Sequence, residues 1–152
     1  MSLLFARAVL AFLALPGIVA FAVPLLWMQS TGHMAVVYAW GLVPLIVGIC
    51  ALLWCVRDFY VSGKGTLAPW SPPRNLVVVG LYRLSRNPMY IAVTLILLGW
   101  AGTFGVRGLF IYALVVVVAF HLRVVLGEEP WLARTHGPQW TEYAARVPRW
   151  LF

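Results

Sequence analysis

Charged side chains are what this sequence has least of. Only 10% of its 152 residues are Asp, Glu, Lys or Arg, whereas 63% are hydrophobic. A soluble domain has about 25% charged residues, so this chain could not cover its surface in water. The composition excludes an ordinary soluble protein and predicts an integral membrane protein.

Cysteine and histidine are also scarce, which argues against a disulfide framework and a metal centre. Cys50 and Cys55 lie five residues apart in one apolar run, on different faces of a helix, so both are expected to be packing residues. The three histidines are scattered, and no Cys/His pair has metal-ligand spacing. We therefore predict no metal site.

Acidic residues are rarer than basic ones. The chain has four acids and eleven Lys or Arg residues, which gives a net charge of +7. This excess suggests contact with anionic lipid headgroups. It does not favour nucleic acid as a partner, because no basic helix or stacking motif stands clear of the apolar runs.

Four apolar runs predict membrane spans, at about residues 8–28, 35–56, 89–106 and 109–126. A spanning helix needs about 20 apolar residues. The first run is longer than the apolar part of a signal peptide, roughly 7–15 residues, so we expect it to be retained. Short connections within each pair predict a single all-α domain, residues 1–152, in which four transmembrane helices form two hairpins.

The basic residues predict the orientation of these spans. The connection between the first two runs has none, whereas the middle loop and the C-terminal part hold eight: Arg57, Lys64, Arg74, Arg83, Arg86, Arg134, Arg146 and Arg149. Positive charge marks the cytoplasmic side. We therefore expect a multi-pass protein of the plasma (inner) membrane with both termini and the middle loop in the cytoplasm, to which Arg107 is a mild exception.

The middle loop and the region after the fourth run carry several expectations. The loop contains GKGTLAPWSPP at 63–73, which is too rich in proline for a helix and is predicted to cover a functional pocket. Gly127 is expected to end the fourth helix and Pro130 to start another. That last helix, over residues 131–146, is predicted to lie at the membrane interface with a break at 137–138.

Polar chemistry is concentrated at the start of the third run, in GLYRLSRNPMY at 80–90. Pro88 suits the first helical position, and Asn87 before it is a strong N-cap residue. Arg86 adds a cation where the helix dipole is already positive, which favours an anion bound at this point. An arginine that reaches a lipid phosphate is the alternative.

Half of the acids form one pair, Glu128-Glu129, at the end of the fourth run. They could cap the helix that follows, or one could bind hydroxyls or a cation in a pocket at headgroup depth. Hairpin geometry places Arg86 and Glu128 at the same depth, with Tyr82 and Tyr90 beside them. S-adenosylmethionine fits such a pocket, although the pocket alone would not single it out.

Three motifs together resemble a known superfamily. The segments GLYRLSRNPMY, GEEPWL and WTEYAARVPRW occur in this order, and they resemble the isoprenylcysteine carboxyl methyltransferase and phospholipid methyltransferase superfamily. Its members look like G-x-Y-x-x-x-R-H-P-x-Y, then E-E, then G-x-x-Y-x-x-Y-x-x-x-V-P-R. The resemblance covers residues 65–150. It implies an S-adenosyl-L-methionine cofactor bound by this half of the chain and a lipid-facing tunnel for the acceptor.

The resemblance also implies roles for particular residues. Arg86 and Glu129 are the expected catalytic residues, and Arg123 is the expected substrate contact. The expected cofactor-binding residues are Asn75, Leu76, Val77, Tyr82, Arg86, Asn87, Pro88, Tyr90, Glu128 and Glu129. Two departures stand out: Asn87 replaces the histidine of the family pattern and cannot titrate, and Trp140 replaces the first tyrosine of the tail pattern.

The implied reaction is direct displacement of the methyl group from a sulfonium. A carboxylate or thiolate acceptor arrives ionised and needs no base, whereas an ammonium acceptor must first lose a proton. Because the motif has no histidine, only Glu128 or Glu129 could be a base, which favours a carboxylate or thiol on an apolar molecule. The alternatives are a phospholipid N-methyltransferase, a nicotinamide-dependent membrane reductase and a non-catalytic membrane protein.

Overall fold

The computed structural model describes residues 13–63 and 75–151, and every regular element within them is helical. Helix α1 is wound as a π-helix over Leu13–Ala22 and as an α-helix over Val23–Thr31. The others are α2 Leu42–Val61, α3 Pro88–Phe104, α4 Arg107–Arg123, α5 Glu129–His136 and α6 Pro138–Arg146. Short 3₁₀ turns, Ala39–Gly41 and Gly80–Arg83, precede α2 and α3.

Two helical stretches in the described residues are long and apolar enough to cross a membrane, Ala39–Val61 and Arg107–His136. Two more, Pro16–Thr31 and Pro88–Phe104, are apolar but shorter. The prediction of an all-helical chain is confirmed for the described residues, and these apolar helices agree with a membrane protein. The number of spans and their orientation remain predictions. Residues 8–12 of the first predicted span and residues 64–74 of the middle loop lie outside the described residues.

The second helix begins later than the apolar pattern predicts. The main-chain N–H groups of Val37 and Tyr38 both donate to the carbonyl of Thr103, at 2.8 and 3.1 Å. These bonds hold the chain extended along the end of α3, so residues 35–38 cannot join the helix. At its other end α2 runs beyond residue 56 to Val61, and Asp58 is buried on its last turns.

Helix α3 is the central element of the bundle. Its Ala92, Val93, Ile96 and Leu97 are almost fully buried, in one cluster with residues of all three neighbouring helices: Ala20 of α1, Leu45 and Leu52 of α2, and Ala113 and Val116 of α4. Burial of apolar side chains against three neighbouring helices is typical of a bundle core. The motif at 80–90 leads directly into this most constrained helix.

Glycines allow α2 and α3 to approach closely. A Cβ built on Gly99 would lie 2.6 Å from the Leu45 main chain, and one on Gly48 would lie 2.8 Å from the Ala92 carbonyl. Both distances are far below van der Waals contact, so only glycine fits. Small residues at such crossings give membrane helices their packing energy. The crossing fixes where α2 ends relative to the start of α3.

Helix α1 is attached to the bundle through carbonyls that Pro24 leaves free. Proline has no N–H to donate back along its helix. The Ala20 carbonyl accepts a hydrogen bond from Trp100 Nε1 at 2.9 Å, and the Val19 carbonyl accepts one from Tyr112 at 3.1 Å. Side chains of α3 and α4 thus satisfy the backbone of α1, as buried carbonyls require.

The prediction that Gly127 ends the fourth helix is wrong. The chain continues from α4 through a π turn, Val124–Glu128, into α5, and Glu128 and Glu129 both have helical backbone angles. The wider π turn changes the hydrogen-bond pattern just before Pro130, which cannot donate. The predicted break at 137–138 is confirmed: Gly137 has a φ of 49° and separates α5 from α6.

Continuity of this helix separates the two acids. Successive side chains on a helix point about 100° apart. Glu128 and Glu129 therefore face different neighbours, and each forms a cluster of its own.

Candidate functional site

The start of α3 and the end of the α4–α5 helix meet, as the hairpin predicts. Arg86 Nη1 lies 3.0 Å from Glu129 Oε1, and each side chain is only 14% exposed. The contact is made with Glu129, whereas the sequence suggested Glu128 as the residue facing Arg86. The anion expected beside Arg86 is therefore supplied, at least in part, by the protein itself.

A second arginine binds the same carboxylate. Arg149 donates from Nε to Glu129 Oε1 at 3.0 Å and from Nη2 to Oε2 at 2.8 Å, which is a two-pronged pair. Hydrogen bonding to Glu129 raises the pKa of the Arg149 guanidinium above its ordinary value. The Arg86 guanidinium also lies over the ring of Trp140, 5.5 Å from its centroid. Both oxygens of Glu129 are thus occupied by arginines, so this acid is poorly placed to take a proton from a substrate.

Hydrogen bonds to main-chain carbonyls of the tail, residues 147–150, join the tail to the first motif. The Arg86 N–H donates to the Pro148 carbonyl at 2.9 Å, and Ser85 Oγ donates to the Arg149 carbonyl at 3.2 Å. The Asn87 side chain donates to that same Arg149 carbonyl at 3.0 Å. Asn87 is the N-cap residue by position, yet its side chain makes no capping bond, so the predicted capping role is wrong. Its amide is used to hold the tail.

Glu128 belongs to a separate cluster with Tyr90 and Arg123. Arg123 Nε donates to Glu128 Oε1 at 2.7 Å and to the Tyr90 hydroxyl oxygen at 3.1 Å. Tyr90 donates a short hydrogen bond to the same Oε1, and its ring packs 4.3 Å from that of Phe120. Within the described residues, Glu128 Oε2 accepts no hydrogen bond. The Glu128 side chain is partly exposed, so this oxygen is free for a ligand.

Tyr82 is held in the turn that opens the first motif. Its main-chain carbonyl accepts a hydrogen bond from the Tyr143 hydroxyl at 2.7 Å, while its ring is buried against Phe59, 5.4 Å away between centroids. Burial raises the pKa of Tyr82 well above its usual value and that of Tyr143 to about 12. Both tyrosines therefore remain neutral donors at any physiological pH.

Gly80 and Asp58 shape the same turn from the side of α2. Gly80 has a φ of 55°, and a Cβ at this position would collide with the Asp58 carboxylate. Asp58 is 5% exposed, and its Oδ2 has no partner in the described part of the chain. Cys55, one turn earlier, is buried against Tyr82 and Val77 and is the packing residue that was predicted. Cys50 is exposed, so the same prediction is wrong for it.

An open cavity of about 640 Å³ lies between the segment before Tyr82 and helix α6. Asn75 and Leu76 line it, as does Arg83, and the opposite wall includes His136 and Tyr143. Val77 is 6% exposed and points into the core, since successive residues of an extended segment alternate sides. Two of the three residues predicted from this loop therefore line the cavity, whereas Val77 supports the loop from behind.

Val77 and Tyr82 are buried in the core, and the other predicted residues fall into three groups. Asn75 and Leu76 line the cavity. Arg86, Asn87 and Glu129 form a buried joint with the tail, and Pro88 begins α3 beside it. Tyr90, Arg123 and Glu128 form a partly exposed cluster. The described residues contain no group of three metal-binding side chains.

Sequence reasoning missed the roles of Arg149, Trp140, Tyr143 and Asp58. The first three belong to the tail segment WTEYAARVPRW, to which the sequence analysis assigned no site residue. Nothing in the sequence showed that Arg149 would be partly buried beside Glu129, so this pairing could not be predicted. No sequence pattern pointed to Asp58, whose contact with Gly80 depends on the crossing of α2 and α3.

Comparison with known proteins identifies a family. The family model for PEMT, phospholipid methyltransferase, matches residues 36–139, a range that contains the first motif and the acid pair but not the tail motif. No curated protein and no solved structure matches the chain. The matched range covers more than half of the 152 residues, and it includes every group of the site except the tail. The chain therefore belongs to the phospholipid methyltransferase family and is a membrane methyltransferase.

Proposed function

We propose that this protein transfers the methyl group of S-adenosyl-L-methionine to an apolar or lipid-like acceptor at the cytoplasmic face of the membrane. The observation that carries the proposal is the Tyr90–Arg123–Glu128 cluster. It lies where α3 begins and α4 passes into α5, and one of its carboxylate oxygens is free. Membership of the methyltransferase family supplies the reaction type.

The described residues fit this cofactor chemically. The cavity of about 640 Å³ is large enough for a nucleoside, because small-molecule sites have volumes of about 300–1,000 Å³. The free oxygen of Glu128 suits the cationic or hydroxyl groups of the ligand. Arg86 Nε is a buried donor without a partner in the described part of the chain. Neither Arg86 nor Glu128 lines the cavity, so a ligand in the cavity would reach the Arg86 donor only if the joint around it opened.

When bound, S-adenosylmethionine supplies a methyl group on a positively charged sulfur, which leaves as a neutral thioether with the electron pair of the broken C–S bond. Glu128 would orient the charged end, and Tyr90 and Arg123 would fix Glu128. The surrounding apolar helices would exclude water and align the acceptor. Orientation and exclusion of water can supply much of the rate for such a displacement.

The group that receives the methyl is proposed to be a carboxylate or a thiol of the substrate. An ionised oxygen or sulfur attacks the methyl carbon without a base, and Glu129 is unsuited to that role because arginines occupy both of its oxygens. A phospholipid amine is the second candidate, favoured by the matched family's description. In that case Glu128 Oε2 would take the proton from the ammonium before transfer.

The proposed placement in the membrane has four helices, α1 to α4, with both termini on the cytoplasmic side. The support is the distribution of basic residues, which are absent from the α1–α2 connection. Helices α5 and α6 would lie at the interface. Arg123, Glu128 and Arg86 would then all be at headgroup depth, where a soluble cofactor and a lipid-soluble acceptor can meet.

Calorimetric titration of the purified full chain with S-adenosylmethionine, and separately with NADPH, tests the proposal. We expect binding of S-adenosylmethionine and none of NADPH. Binding of NADPH alone would instead indicate a nicotinamide-dependent reductase, and binding of neither would indicate a non-catalytic protein.

A panel of acceptors with a radiolabelled methyl donor tests the acceptor class. Apolar carboxylates, apolar thiols and phosphatidylethanolamine in mixed micelles should be compared at one pH. Label in the first two classes supports the proposed acceptor, and label only in the phospholipid establishes the second candidate.

A further inference from the structure

The tail carries a residue that no part of the proposed reaction yet uses. Pro148 and Arg149 accept main-chain and side-chain hydrogen bonds from residues 85–87 at 2.9 to 3.2 Å. Trp150 stacks on His121 of α4, with 6.1 Å between ring centroids. The tail is thus bound both to the segment before α3 and to α4, and Arg149 lies between these attachments.

The Arg149 side chain determines how Glu129 can pair. Arg149 donates to both Glu129 oxygens, and Arg86 Nη1 makes only an ion-pair contact with Oε1 at 3.0 Å. Without Arg149, Arg86 could turn to make both bonds to Glu129 itself, using Nε. That change would remove the unpartnered Nε donor and shift the guanidinium from its position over Trp140.

We propose that Arg149 is a positioning residue for methyl transfer, which acts through Glu129 to hold Arg86 in an open arrangement with one ion-pair contact. The inference rests on the proposed function. Because Glu129 and Glu128 are adjacent on one helix, fixing Glu129 also fixes the rotation of the turn that aims Glu128 at its cluster. Only a planar fork can occupy both oxygens together, so lysine is a poor substitute despite its charge.

Three variants test this role in the full chain in detergent: Arg149→Ala, Arg149→Lys and, as a control, Arg134→Ala, which removes an exposed arginine of α5. Affinity for S-adenosylmethionine, kcat and KM are measured well below each melting temperature. We expect the Kd to rise at least tenfold in Arg149→Ala and by an intermediate factor in Arg149→Lys. The control should match the wild type.

A double-mutant cycle separates positioning from general stabilisation. If Arg149 acts through Glu129, Arg149→Ala should change the Kd less than twofold in a Glu129→Gln background. Fully additive effects, or wild-type affinity in Arg149→Ala, would overturn the proposal. If Arg149→Ala does not fold, Arg149→Lys keeps the test open, since wild-type affinity in that variant would equally overturn it.

A readout without cofactor distinguishes this inference from the proposed function. Hydrogen exchange at the Arg86 amide reports its bond to Pro148. Failure of the wild type to bind S-adenosylmethionine would overturn the proposed function. Exchange at Arg86 should be faster in Arg149→Ala than in Arg134→Ala, and equal exchange in the two would overturn the anchoring role of Arg149.

Discussion

The Asn87 side chain donates to the main-chain oxygen of Arg149 at 3.0 Å, and this bond joins two motifs 62 residues apart. Asn87 is 9% exposed, so its partner cannot be replaced by bulk water. The position therefore requires a side chain that can donate a hydrogen bond.

Asn87→Asp and Asn87→His should behave differently. Aspartate would place a carboxylate against a carbonyl oxygen and should lower stability by about 1–3 kcal/mol, as expected for a buried polar group left unsatisfied. Histidine keeps a ring N–H donor and should remain folded. Thermal unfolding in detergent checks both, and equal melting temperatures for Asn87→Asp and the wild type would contradict the assigned bond.

Substitution of Glu129 should lower stability, whereas substitution of Glu128 should weaken cofactor binding. Glu129→Gln leaves two arginines short of a carboxylate at a site that is 14% exposed, and loss of a buried ion-pair partner costs about 3–5 kcal/mol. Glu128→Gln should leave the melting temperature unchanged and raise the Kd for S-adenosylmethionine about tenfold, which corresponds to about 1.4 kcal/mol.

The matched stability control is Glu142→Gln, whose ion pair with Arg146 is exposed on both sides. An exposed pair of this kind contributes about 0.3–0.5 kcal/mol. If Glu129→Gln melted like Glu142→Gln, the buried joint would not be a source of stability.

The α2–α3 crossing should not tolerate a methyl group. Gly99→Ala would push a Cβ to 2.6 Å from the Leu45 main chain, and overpacking of this kind costs about 1–3 kcal/mol. Gly127→Ala is the control, because a Cβ there meets nothing within 4 Å and alanine is about 1 kcal/mol better than glycine in a helix. The melting temperature should fall in the first variant and stay level or rise in the second.

Stability should fall in alkaline solution because of Tyr143. Burial raises its pKa from 10.0 to about 12 in the folded protein, so between these values the unfolded chain loses the proton first. The stabilisation is complete below pH 10 and is lost as the pH rises through about 12. Tyr82 has a raised pKa as well, so Tyr143→Phe should flatten the decline only in part.

Melting temperatures measured from pH 8 to pH 12 check the alkaline decline. Tyr38→Phe, at an exposed tyrosine, is the control and should keep the wild-type slope. A wild-type slope in Tyr143→Phe would contradict the assignment.

The sequence was most informative where geometry follows from hairpin topology. A short turn between α3 and α4 requires that the start of one and the end of the other lie together, and the Arg86–Glu129 pair confirms this. Helical periodicity also separates Glu128 from Glu129, once the helix is known to be continuous. That continuity was not predicted because glycine and proline usually mark a helix end. The π turn Val124–Glu128 lets the helix continue although Pro130 has no N–H to donate.

Long-range partners could not be read from the pattern. The capping preference of Asn87 is a local tendency, and it was overridden by a carbonyl that only the folded tail brings near. The contact of Asp58 with Gly80 likewise depends on how closely two glycines let α2 and α3 approach. Such contacts are set by tertiary packing, which local propensity does not predict.

The return of the tail also orders the events of biosynthesis. The hairpin of α3 and α4 is synthesised while Glu129, which follows it, has only Arg86 as a partner, since Arg149 is translated twenty residues later. We expect nascent chains to gain affinity for the methyl donor only when residue 149 has emerged from the ribosome. Stalled chains of graded length would reveal this as a step in cofactor binding, and a gradual rise would count against it.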